Sequence, residues 1–198
     1  MDSKGPRCLS CEFYVRLPVQ LDAEGILEGA IQVASANFDE RPAGERISLL
    51  VIHAISLPPG EFGGDAILRL FTDTLDCAAH PDFESLRGLR VSTHFLIRRT
   101  GEIVQFVPCG KRAWHAGESQ YAGRGRCNDF SIGIELEGTE TVAYTNPQYE
   151  TLGTLVGTLC AHYPITDVVA HSDIAPGRKT DPGPSFDWAR LRGALPRR

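Results

Sequence analysis

The chain has 198 residues, 42% apolar and 23% charged, the make-up of one ordinary soluble domain with a core of its own. Its 20 basic and 25 acidic residues leave a net charge of −5, which gives no argument for nucleic acid or an anionic membrane surface as partner. No apolar run is long enough to cross a bilayer, and no stretch suited to a signal peptide follows Met1 to Cys8, so the expected compartment is the cytoplasm.

Residues 1–24 carry few periodic signals and read as an extension before a single domain of residues 25–198, although Phe13, Val15 and Leu17 alternate as a short strand would. Cys8-x-x-Cys11 has the spacing of half a zinc knuckle, but no second pair follows. The six cysteines are expected to be reduced thiols. Ile47 to Ile52 is a continuous apolar run, the pattern of a strand buried on both faces, and it ends at His53. A long loop follows at 57–64. Ile67, Leu68, Leu70, Phe71 and Leu75 then predict a helix over 65–76. Phe95 to Ile97 and Ile103 to Val107 flank a turn containing Gly101, which predicts a hairpin.

Residues 131–136 predict a strand with Ile132 and Ile134 on one face, Gly133 and Glu135 on the other. Asn146-Pro147 opens a helix lined by Leu152, Leu155, Val156 and Leu159 and stopped by Pro164. Val168 to Ala170 is a short strand delivering His171, and Ser185 is the expected cap of a last helix containing Trp188 and Leu191. Strands alternate with helices around a central hairpin. The expected fold is therefore α/β, a mixed central β-sheet flanked by helices, with both histidines just after strands, where such sheets usually build sites.

His53, His171 and Asp181 supply two imidazoles and a carboxylate, a donor set for a catalytic zinc that keeps one position open for water. Each has a plainer reading. His53 alone is first a core histidine satisfied by hydrogen bonds. The run HSDIAPGRKTDPGP at 171–184 is either a loop that folds both ends to one point or a polar surface turn. Lys179 is either a cation for a developing oxyanion or a solvated loop lysine. Glu135, on a strand otherwise fit for burial, is the preferred proton acceptor, with Glu137 on the same face as competitor. His94 and His115 are candidate pocket or supporting residues, while His80 and His162 look structural or exposed.

Five segments in order, ISLLVIHAISLPPGEFGG, RVSTHFLIRRTGEIVQFVP, RAWHAGES, GRCNDFSIGIELEG and HSDIAPGRKTDPGPSFDW, resemble the zinc amidases that cleave muropeptides, and among these the cytoplasmic enzymes of wall recycling. The resemblance covers roughly residues 25–190. It implies the fold of the phage-lysozyme-type amidases and peptidoglycan recognition proteins. It also implies Zn2+ held by His53, His171 and Asp181, with Glu135 and Lys179 catalytic. Arg90 and Arg126 would grip carboxylates or carbonyls of the peptide stem, and Ala113 and Trp114 would line the groove. The implied reaction is hydrolysis of the amide between 1,6-anhydro-N-acetylmuramic acid and L-alanine, with an indirect influence on β-lactamase induction. The alternatives are an amidase of intact peptidoglycan and a non-catalytic muropeptide-binding module. One departure stands out: Ala54 follows the first histidine where the family commonly has asparagine.

Overall fold

The computed structural model describes residues 20–194. The chain runs through β1 (Ile31–Gln32), β2 (Phe38–Glu40), β3 (Leu49–Ile55), α1 (Ala66–Phe71), β4 (Phe95–Ile97), β5 (Ile103–Gln105), β6 (Lys111–Ala113), β7 (Gln120–Tyr121), β8 (Arg124–Gly125), β9 (Ser131–Glu137), α2 (Asn146–His162), β10 (Asp167–Ala170), α3 (His171–Ile174) and α4 (Trp188–Ala194). Short 3-10 helices span Pro81–Leu86 and Cys127–Asp129. Among the described residues the main sheet has six strands in the order β1-β5-β4-β9-β3-β10. β9 lies parallel to both β3 and β4, β10 is parallel to β3, and β5 returns antiparallel to β4. The expected mixed sheet with helices on it is therefore present.

Alternation along β3 and β9 divides the interior. Leu50, Ile52, Ile132, Ile134 and Leu136 face α2, whose Leu152, Leu155, Val156 and Leu159 pack on them with Phe186 and Leu191. The opposite face carries two separate apolar clusters. Leu96 and Val104 meet Ile67, Leu70, Phe71 and Phe83, while Leu49 and Val51 meet Ala116, Cys127, Phe130 and Ile174. His53, His94, His115 and Glu135 are also buried here.

Several boundaries differ from expectation. β3 continues two residues past His53, because its pairing with β9 persists to Ile55 opposite Glu137; His53 is thus inside a strand rather than after one. α1 is only six residues long, since Asp73 turns left-handed (φ 58°) and removes Leu75 from the helix. The cap of α2 is Thr145, not Asn146: its hydroxyl accepts from Gln148 N–H and the Gln148 side chain returns to Thr145 N–H, a reciprocal capping box. The Ser185 hydroxyl donates to Thr139 O, and it is the Asp187 carboxylate that accepts from Arg190 N–H in the first turn of α4. Residues 21–24, grouped by sequence with the extension, take part in the fold. Leu21 pairs with Leu27 and packs on the core, and Glu24 O accepts from Gly110 N–H. The possible strand at Phe13 to Leu17 and the Cys8-x-x-Cys11 pair lie outside the described residues. Cys77, Cys109 and Cys127 are free thiols.

Candidate metal centre

Parallel pairing sets His53 of β3 directly beside Glu135 of β9, with Leu96 of β4 on the other side of the glutamate. β10, parallel to β3, ends at Ala170, so His171 opens α3 at the same end of the sheet. The Asp173 carboxylate accepts from Ala170 N–H at 2.8 Å and fixes that turn. The loop then doubles back. Ser172 N–H donates to Asp181 O at 3.1 Å, and the Tyr144 hydroxyl donates to Pro182 O, which pins the chain on both sides of the aspartate.

The result is one point of convergence. His53 Nδ1 lies 2.9 Å from His171 Nδ1 and 3.4 Å from Asp181 Oδ2, and His171 Nδ1 lies 3.1 Å from the same oxygen. His171 Nε2 is 3.2 Å from Ala116 O, which can only accept. Nε2 therefore carries the ring proton and Nδ1 presents a lone pair. Ala116 O also accepts from Arg178 Nη2 at 2.7 Å, and Asn128 Oδ1 accepts from the N–H groups of both His115 and Ala116. The bare His171 nitrogen and the Asp181 carboxylate thus turn electron pairs toward each other inside the protein, a repulsion that a cation between them would relieve. Burial holds His53 at a pKa of about 4, so its imidazole is neutral and able to act as a ligand. Donor type, geometry and protonation all fit a small divalent ion.

Glu135 is 9% exposed and its Oε2 has no hydrogen-bond partner. Burial, reinforced by the charge of Asp181, pushes its carboxyl well above the ordinary value, and Lys179 pulls the other way. Lys179 is itself exposed, and its charge reaches both Glu135 and His53. Glu137, the competing carboxylate, is spent on structure. It accepts from Gly63 N–H (2.7 Å), Arg98 Nη1 (3.2 Å) and Arg99 N–H (3.1 Å), which ties the 57–64 loop to the sheet.

Outside this cluster the expected residues scatter. Arg90 is exposed, sits 5.7 Å from the centre of the half-buried Trp114 ring and donates to Asn37 Oδ1. Arg126 is exposed and pairs with Asp129 at 3.1 Å. Ala113 is fully buried in the core with Leu96 and Val104, so its methyl offers nothing to a groove. Ala54 lines a cavity of about 430 Å³ that also touches Ser56, Pro59, Thr139, Glu140 and Asp181. His80 caps the 3-10 turn through Asp82 N–H, and His162 is exposed at the end of α2. Sequence reasoning missed Ser131, Asn128 and Arg178, since the contacts that give each its role reach His115 or Ala116, 12 to 62 residues away along the chain.

Residues 43–184 match the family of N-acetylmuramoyl-L-alanine amidases. The chain belongs to that family. It is 61% identical over 171 residues to the 1,6-anhydro-N-acetylmuramyl-L-alanine amidase AmpD of Escherichia coli, spanning 85% of this chain and 93% of the relative. A crystal structure of selenomethionine AmpD superposes with a TM-score of 0.88 at 59% identity, covering 90% of this chain and all of that one. The Escherichia coli amidase AmiD, in complex with the substrate anhydro-N-acetylmuramic acid-L-Ala-D-γ-Glu-L-Lys, matches with a TM-score of 0.57 at 31% identity over 80% of this chain and 65% of that one. The α/β fold is thus that of these amidases. Among the described residues no helix is long and apolar enough to cross a membrane.

Proposed function

We propose that this chain is a zinc amidase of muropeptide recycling, hydrolysing the amide between the lactyl group of 1,6-anhydro-N-acetylmuramic acid and L-alanine, and that it works in the cytoplasm. The observation that carries this reading is the convergence of His53, His171 and Asp181 beside the buried Glu135, whose Oε2 has no hydrogen-bond partner. Ligand atoms around a tetrahedral zinc with bonds of about 2.0–2.1 Å lie about 3.3 Å apart, and the three separations here run from 2.9 to 3.4 Å.

His53, His171 and Asp181 would hold a zinc ion, which when bound would supply Lewis acidity toward a water and the scissile carbonyl. Glu135 takes the proton from the attacking water and delivers it to the departing amine of L-alanine. Burial raises its carboxyl well above the ordinary value, which favours its holding the proton between the two halves of that transfer. Lys179, whose charge is felt at Glu135 and His53, steadies the negative charge that develops on the carbonyl oxygen. Exposed Arg90 and Arg126 take carboxylates or carbonyls of the stem peptide, with Trp114 beside Arg90. The amidase domain in this reading is residues 25–198 with 21–24 folded onto it. Cutting such muropeptides removes signals that bear on β-lactamase induction.

Mass spectrometry of a soluble anhydromuropeptide after incubation tests this directly. Release of free anhydro-N-acetylmuramic acid and stem peptide, lost with a chelator and restored by Zn2+, is expected. No cleavage by zinc-loaded protein would overturn the reading. Cleavage of intact sacculi in preference to the soluble substrate would reassign it to a wall-degrading amidase.

A further inference from the structure

A histidine ligand must bring a bare nitrogen, and nothing within the convergence point decides which nitrogen of His53 is bare. A chain of hydrogen bonds running away from the site does. It ends at Cys127 O, a carbonyl that can only accept. The Ser131 hydroxyl lies 2.6 Å from it and must donate there, which uses its single proton. His115 Nε2 lies 3.1 Å from Ser131 Oγ, so that contact exists only if the imidazole donates. His115 Nδ1 is then bare, and His53 Nε2, 2.9 Å away, must donate to it. His53 Nδ1 is therefore left without a proton, facing His171 Nδ1 and Asp181 Oδ2.

We propose that His115, held by Ser131, is a positioning residue that fixes the tautomer of His53 and so prepares the metal site before the ion arrives. The proposal rests on the zinc reading for its consequence, but the tautomer it assigns belongs to the metal-free protein.

The surroundings are built for this. His115 is 9% exposed, and its ring meets that of His53 edge-on, with centroids 5.0 Å apart. The ring lies against residue 133, where a Cβ would fall 2.5 Å from His115 Cγ, so only glycine leaves room for it. Asn128 clamps the backbone of His115 and Ala116 through one oxygen. Ala116 O in turn receives His171 Nε2–H. One side chain thus holds in place the proton acceptors behind both imidazole ligands, an arrangement that commonly sets the orientation and basicity of metal-bound histidines.

The test uses full-length protein labelled with 15N-histidine. Long-range proton–nitrogen correlation spectra of the metal-free wild type are expected to show His53 protonated at Nε2 and His115 at Nε2. Zn2+ affinity, measured by competition with a chromophoric chelator, is expected to fall about 10–100-fold in His115→Leu, which packs but cannot accept. In His115→Gln, whose amide oxygen can take the His53 proton, affinity is expected to stay within about threefold of wild type. A metal-free wild type carrying the His53 proton on Nδ1 would overturn the proposal, as would unchanged affinity in folded His115→Leu. If the wild type binds no Zn2+ at all, the metal reading fails, and the nitrogen spectrum still decides the tautomer.

Discussion

The two faces of the central sheet come from the same strands and follow different rules. Towards α2, β3 and β9 present Leu50, Ile52, Ile132, Ile134 and Leu136, and any close-packed arrangement of these satisfies them. On the other face β9 presents Ser131, Gly133, Glu135 and Glu137, which are all buried as well, glycine included. Equal burial carries unequal demands there, because each polar atom needs its own partner. Ser131 finds Cys127 O and His115, Glu137 finds three donors, and Gly133 makes space for the His115 ring. Glu135 Oε2 is the exception, and it lies beside His53. One face thus supplies cohesion without specificity, and the other supplies specificity with an unpartnered carboxylate oxygen beside the candidate metal site.

The sharpest way to break this contrast is to remove a converging donor. Asp181→Ala should leave a folded protein that no longer retains stoichiometric zinc by elemental analysis and shows no amidase turnover. Next in size, Glu135→Gln should keep the metal and lower turnover by about 10²–10⁴-fold. Wild-type activity in that variant would remove Glu135 from the mechanism.

On the apolar face Leu152→Ala should cost about 2–5 kcal/mol in chemical denaturation, since Leu152 is wholly buried against the sheet, while zinc content stays unchanged. A smaller effect comes from the cap of the same helix: Thr145→Ala should cost about 1 kcal/mol, again with no change in metal content.

Acid should also distinguish the faces. His94 receives Gly133 N–H at Nδ1 and donates from Nε2 to Lys111 O, with the Arg41 guanidinium against it and His115 alongside. Burial, with the charge of Arg41, lowers its pKa to about 3 from the 6.5 it has when exposed. Between those values the unfolded chain binds the extra proton, so His94 makes stability rise with pH and fall on acidification through that window. His94→Gln should flatten the denaturation slope there by about 1.4 kcal/mol per pH unit, whereas Leu152→Ala should shift the curve without changing its slope.

The apolar half was the more legible in the sequence. The unbroken run before His53, the alternation through Ile132 and Ile134 and the helical spacing from Leu152 to Leu159 each name a buried face, because burial on a regular element imposes a period that a single strand or helix displays by itself. Ends were read less well. The step from Asn146 to Thr145 and from Ser185 to Asp187 turned on which of several capping side chains reached a free N–H, a matter of a few ångströms that spacing does not encode. Of the site, His53, His171, Asp181 and Glu135 were visible as chemistry of the right type, and order within the resembling segments grouped them. From periodicity alone Glu137 stood level with Glu135, and the loop-binding role that separates them depends on Gly63, Arg98 and Arg99.

What the residues determined unaided was therefore the class of fold, the two-sided character of its strands and the inventory of donors able to hold a metal. Parallel register brought His53 beside Glu135, β10 carried His171 to the same end of the sheet, and a pinned loop returned Asp181 to both. Only that assembly decided which nitrogens face inward and which carboxylate stays unpaired, because a proton's position is set by the partner across the gap, and those partners lie up to 118 residues away along the chain.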